Sequence, residues 1–305
     1  MLLFISSLCF LALLLSPDTA LAWGPGMHVE TALRILDNLP LIAPAIAKLI
    51  EKYPNDFIYG STSPDIIVGK KYAGYHHHCH NWRMGHLILE EANGDRQKAA
   101  AFGYLLHLAI DVVAHNYFVP YKMVKSFRNK AISHIYWEMR FDLGVSNEAW
   151  QRMGELSAYQ IEEFDELLER VLRKTLFSFT TNKRIFNSIL IAHKIKGMRA
   201  SLQLYADKSK WKFKEERREH YVKLSWDAAV NFLADPNKAR CLIADPAGMR
   251  RLAYAKDLRH RIKAMLTYNI IDEAKADQLV QTFHDALESG LYQAELDLPD
   301  VTDVL

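Results

Sequence analysis

The chain has 305 residues, half of them apolar and 24% charged, with a formal net charge of +2. That is ordinary globular composition, and it excludes a general electrostatic attraction to nucleic acid as the organising feature. Of three cysteines, Cys9 lies in an N-terminal leader, so Cys79 and Cys241 allow one disulfide at most and stability has to come mainly from burial.

Leu2 to Leu15 form an apolar run, closed by Ser16-Pro17-Asp18 and followed by small residues at Ala20 and Ala22. This is the pattern of a secretory signal peptide over residues 1–22, and the run is too short for a membrane span. Export to the periplasm or beyond the cell is therefore expected. Cleavage after Ala22 makes Trp23 the first mature residue, and its free amine and own carbonyl can chelate a metal near His28.

Past the leader the pattern is helical throughout, with no period-two strands. Helices are predicted from His28 to Leu36 and from Pro44 to Tyr53, with Pro44 tolerated in a first turn and Pro54-Asn55-Asp56 as a stop. Residues 59–85, with Gly60, Pro64, Gly69 and Gly74, read as an irregular segment. Further helices are predicted over 95–118, ending at Pro120, and over 130–141, 147–176, 181–206, 216–233, 249–268 and 271–292. The acidic tail from Glu295 to Asp303 reads as loose. The expected architecture is all-α: one multi-helix domain over 23–233, then a C-terminal helical extension over 234–305. In that extension Arg250, Arg251, Lys256, Arg259, Arg261 and Lys263 make a basic helix. It could touch anionic lipid, but a solvated face on a packed helix is the commoner explanation.

Nine of the 13 histidines fall between His28 and His134, which places the chemistry in the first half of the mature chain. His107-Leu-Ala-Ile-Asp111-Val-Val-Ala-His115 repeats a ligand-type side chain every four residues. On an α-helix each step turns about 40° net, so the three donors share one face. The residues between them are apolar, so that polar stripe is buried and needs a metal or a dense hydrogen-bond network. His134 and Glu138 repeat the four-residue offset on the next predicted helix. Asp65, after Ser63-Pro64, and the run His76-His77-His78-Cys79-His80 lie in the irregular segment. Within that run His80 is favoured, because Asn81-Trp82 re-enters helical sequence, with His78 next. Imidazoles, carboxylates and one amine suit zinc. They outnumber the ligands of one tetrahedral site, which points to a cluster of two or three ions. Three zinc ions carry more charge than Asp65, Asp111 and Glu138 cancel, and the surplus suits a phosphate group.

This order of residues resembles the zinc-dependent phospholipase C family, a largely helical fold with a trinuclear zinc site whose relatives include single-strand-specific zinc nucleases. The motifs that carry it run from Trp23 to Phe141. The resemblance implies a first zinc on Asp65, His80, His107 and Asp111, and a second on His115, His134 and Glu138. A third would take the amine and carbonyl of Trp23 with His28 and share Asp111. Asp65 is the implied catalytic residue, orienting or deprotonating the attacking water. The implied activity is a zinc-dependent phosphodiesterase acting on phospholipid, with single-stranded nucleic acid as the alternative substrate and a non-catalytic zinc-stabilised binding protein as a third reading. The short step from Trp23 to His28 matches the nucleases and leaves no acidic choline contact. Glu138 stands where the nuclease branch carries Asp, which favours lipid.

Overall fold

The computed structural model describes residues 23–67, 78–128, 137, 140–159, 161–172, 175–194, 200, 203–204 and 215–304. Among them are twelve α-helices and no strand. They are α1 (Pro25–Leu36), α2 (Pro44–Lys52), α3 (Pro54–Thr62), α4 (Trp82–Glu90), α5 (Gly94–Val113), α6 (Val119–Lys125), α7 (Asn147–Leu156), α8 (Glu162–Val171), α9 (Phe179–Lys194), α10 (Glu215–Ala234), α11 (Met249–Thr267) and α12 (Glu273–Ser289). The fold is all-α, as the apolar periodicity requires. No helix among the described residues is long and apolar enough to cross a membrane.

Helix α5 is the hub. From Ala99 to Val113 nearly every side chain is buried, because α1, α2, α3, α4 and α10 all pack on it. The tightest crossing is α3 on α5, and two glycines permit it. A Cβ on Gly60 would stand 1.9 Å from the Ala100 carbonyl oxygen, and one on Gly103 would stand 2.1 Å from that of Phe57. Both clashes are with backbone, which cannot swing aside. Gly60→Ala is therefore expected to cost about 1–3 kcal/mol. It should also loosen the neighbouring Ser61 carbonyl. Thermal melts with and without zinc check this; an unchanged midpoint in both would refute the close-packing account.

The structure corrects several boundaries. Pro120 does not end the central helix: α5 passes through a π-turn at Ala114–Phe118 into α6, and the Asn116 carbonyl four residues before Pro120, to which the proline cannot donate, accepts from Arg251 instead. Residues 59–62, read as irregular, complete α3, and Ser63–Ile66 add a 3-10 turn. The long helix read over 147–176 is two, α7 and α8, broken at Ser157-Ala158 so that Met153 and Leu156 on one piece and Phe164, Leu167 and Leu168 on the other are all buried. The prediction over 130–141 falls mostly outside the described residues.

The C-terminal part is better anchored than its composition implies. Helix α11 packs on α6 and on the π-turn. Arg251, expected on a solvated basic face, is buried; it donates to the carbonyls of Asn116 (3.0 Å), Gly290 (2.7 Å) and Gln293 (2.8 Å). Three carbonyl acceptors make its burial tolerable. The tail is not loose either: Arg261 grips Asp300 with two bonds at 2.5 and 2.7 Å, and Val301 and Val304 are buried. Cys79 and Cys241 are both buried free thiols, not a disulfide.

Candidate metal centre

Five of the ligand-type residues named from the sequence converge in the core. Helix α5 supplies His107 and Asp111, α1 supplies His28, the 3-10 turn supplies Asp65, and His80 precedes α4. All are buried, and Asp65 alone retains a little exposure at 8%. Each is fixed by a local device. Asn81 caps α4 by accepting from the Arg83 amide at 2.9 Å, which sets where His80 leaves the helix. The buried Tyr104 hydroxyl donates to the Cys79 carbonyl at 2.6 Å, tying that same segment to α5. His28 stacks on His107 with ring centres 3.6 Å apart and planes 8° from parallel.

Asp111 sits at the middle. His28 Nε2 lies 3.4 Å from its Oδ1, and both His80 Nε2 and His107 Nε2 lie 3.1 Å from its Oδ2. The two imidazoles face each other, Nε2 to Nε2, at 2.9 Å. Asp65 Oδ1 is 3.4 Å from His80 Nε2 and 3.9 Å from His107 Nε2. Thus one set of donor atoms is His28, His107 and Asp111, a second is Asp65, His80 and His107, and each set lies within 4.8 Å.

The proton inventory shows what this cluster lacks. His107 Nδ1 stands 2.8 Å from the Ser61 carbonyl oxygen, which can only accept, so Nδ1 carries the proton and Nε2 presents a lone pair to the cluster. Neither nitrogen of His28 and neither oxygen of Asp111 has a partner in hydrogen-bond geometry, although the nitrogens are at hydrogen-bonding distance. These atoms converge on common points instead of on one another. Leaving them dry and unpaired would cost about 1–3 kcal/mol each. A cation held between them removes that cost, so the residues fit a metal. Burial, reinforced by the neighbouring His28, pushes His107 down to about 4, which keeps it neutral and able to ligate at physiological pH. Burial pushes Asp111 up, but the facing imidazoles of His107 and His28 outweigh it and hold the carboxyl well below the usual range.

A family model for zinc dependent phospholipase C matches residues 27–179, half of the chain. The chain belongs to the zinc-dependent phospholipase C family. No curated protein and no solved structure matches it. Zinc dependence follows from the family, and the cluster just described lies within the matched residues.

The remaining ligand candidates of this family member are placed less centrally. His115 lies in the π-turn, not on the α-helical stripe; its Nδ1 is 3.9 Å from Asp111 Oδ2 and its ring centre 6.0 Å from that of His80. The even 107–111–115 spacing thus does not aim three donors at one point, because the π-turn re-aims the third. His78 accepts from the His80 amide at 3.1 Å and is half-buried, while it is His80 that reaches the carboxylates. The Trp23 side chain is a core anchor: its indole N–H donates to the Ile110 carbonyl at 3.1 Å and its ring packs on Phe118 and Phe141. His134 and Glu138 lie outside the described residues.

Two contributors gave no sequence signal as site elements. Asp142 is wholly buried and accepts from the amides of Gly26 (2.9 Å) and Met27 (3.0 Å), so it clamps the start of the helix that carries His28. Burial pushes its carboxyl up to about 6, against those two amides. The second is the Asp245-Pro246-Ala247-Gly248 turn, whose Pro246 carbonyl lies 2.5 Å from His115 Nδ1.

Proposed function

We propose that this protein is an exported phospholipase C that hydrolyses the phosphodiester of a phospholipid. What supports the reading is the buried cluster of His28, Asp65, His80, His107 and Asp111, in which the nitrogens of His28 and the oxygens of Asp111 lack hydrogen-bond partners, in a member of this family. When bound, zinc polarises phosphoryl oxygens and makes water nucleophilic near neutral pH. The chain's own residues do the rest. His80, His107, Asp111 and Asp65 would hold one ion, His115 with His134 and Glu138 would hold a second, and His28 with the amine and carbonyl of Trp23 would hold a third, to which Asp111 would also contribute. Asp65, the one carboxylate of the cluster with residual exposure, orients the attacking water or takes its proton.

The deciding experiment incubates zinc-loaded protein beginning at Trp23 with mixed phospholipid vesicles and with single-stranded RNA, and identifies every product by mass spectrometry. Diacylglycerol together with a phosphorylated head group is the expected result. Nucleotides without lipid products would assign the nuclease reaction instead, and full zinc without any product would leave a zinc-stabilised binding protein. Blocking the terminal amine with a methionine ahead of Trp23 is expected to lose one zinc and to lower the rate about 10- to 100-fold. Metal analysis checks this, and an unchanged zinc count would remove the terminal chelate.

A further inference from the structure

The family match ends at residue 179, yet His115 depends on residues beyond it. Its Nδ1 lies 2.5 Å from the Pro246 carbonyl oxygen, in the turn between the Arg240–Ile243 3-10 turn and α11. A carbonyl oxygen only accepts, so Nδ1 carries the ring proton and Nε2 is left as the donor nitrogen for a metal. The turn that offers this carbonyl is held on several sides. Asn116, the residue after His115, donates from Nδ2 to the Asp245 carbonyl at 2.7 Å and to the Val112 carbonyl at 3.0 Å, so one side chain bridges the π-turn and the loop. The Asp245 carboxylate accepts from the amides of Ala247 and Met249, both at 3.1 Å, closing the turn on itself. Trp82, two residues after His80, donates its indole N–H to the Ala244 carbonyl at 2.9 Å.

Gly248 completes the fit. Its φ is +56°, in the left-handed region, and a Cβ there would lie 2.3 Å from the His115 carbonyl oxygen and 2.6 Å from the His115 Cβ. The loop therefore lies so close to the His115 main chain and Cβ that only glycine fits at this position. A hydrogen bond to the far nitrogen of a ligating histidine fixes the tautomer and the ring plane and raises the basicity of the ligating nitrogen.

We propose that the 244–248 loop is a positioning element for the zinc held by His115, with Asn116 as the positioning residue that keeps the Pro246 carbonyl in place. A segment outside the matched domain thus sets the affinity of one ion of the cluster. This rests on the reading of His115 as a ligand. It predicts that damage to the loop weakens one ion selectively, whereas damage to the core weakens all of them.

The test uses the whole chain from Trp23 to Leu305, loaded with zinc or with cobalt, in the wild type and in Asn116→Ala, Gly248→Ala and His115→Ala. Affinities are read ion by ion with competing chelators, and the visible absorption of the cobalt protein reports the geometry at each site. Asn116→Ala and Gly248→Ala are each expected to weaken one ion about 10- to 100-fold. It should be the same ion that His115→Ala loses, with the cobalt spectrum altered at that site only. If His115→Ala keeps every ion at wild-type affinity, the reading of His115 as a ligand fails. If His115→Ala loses one ion while both loop variants hold all ions as the wild type does, positioning by the loop fails alone. Equal weakening of every ion in both loop variants also overturns it, because that is the signature of general destabilisation. Should Asn116→Ala not fold, Gly248→Ala carries the test with the same outcomes.

Discussion

Asp111→Asn is expected to strip zinc from the core and, with it, most of the activity and much of the heat resistance. Asp111 is fully buried, with His28 on one oxygen and both His80 and His107 on the other. Asparagine keeps the shape but replaces one oxygen by an NH2 and removes the charge. A zinc ion held by this carboxylate would then lose both a ligand atom and its main counter-charge inside a low-dielectric site, where charge matters most. At least one zinc should be lost from the purified protein. Since zinc binds the folded chain far better than the unfolded one, saturation at about 1,000 times Kd is worth about 4 kcal/mol of stability. For a chain of this size that corresponds to roughly 7 °C of melting temperature. Metal analysis and melting before and after chelation measure both quantities. The wild type stripped of metal should fall to within a few degrees of the variant, because what the variant lacks is the contribution of the ion. An Asp111→Asn protein that keeps every zinc and melts like the wild type would remove Asp111 from the centre.

The part of this centre that periodicity alone makes legible is the part that a straight helix writes, whereas His28, Asp65 and His80 join it through the family resemblance. His107 and Asp111 are one turn apart, so the period of the helix places them together, and the apolar residues around them announce that the pair is buried. His115 follows the same period in sequence but not in space, because nothing in the residues Ala114 to Phe118 signals the π-turn that re-aims it. Contacts made across the fold were illegible for a different reason. Asp142 clamps Gly26 and Met27 from more than a hundred residues away, and the Pro246 carbonyl reaches His115 through its backbone, which every residue possesses. Sequence patterns report side-chain types and periods, so they miss a site element made of main chain. Arg251 fails in the same way: its neighbours on α11 spell a solvated basic face, while its three partners are carbonyls on other elements.

In the metal-free protein two buried groups are expected to pull the pH dependence of stability in opposite directions, and single substitutions should separate them. Burial depresses His107 to about 4, against about 6.5 in an unfolded chain. Between those values the unfolded state binds the proton more tightly, so this stabilising contribution is complete above pH 6.5 and is lost as pH falls toward 4. The span is worth about 3 kcal/mol. Asp142 runs the other way. Burial raises it to about 6, so the folded state holds its proton more tightly than the unfolded chain does, and its contribution is complete below pH 4 and lost as pH rises through 6. That span is also about 3 kcal/mol. The two windows overlap between pH 4 and 6, where stability of the metal-free wild type should change little on their account. Asp142→Asn removes the second group and exposes the first, so its stability should fall on acidification from pH 6.5 to 4. His107→Gln removes the first, so its stability should rise over the same interval. Denaturant titrations of chelated protein at half-unit pH steps give both slopes. If the two variants show slopes of the same sign, the opposed burial of these two groups is not what shapes the acid behaviour of the apoprotein.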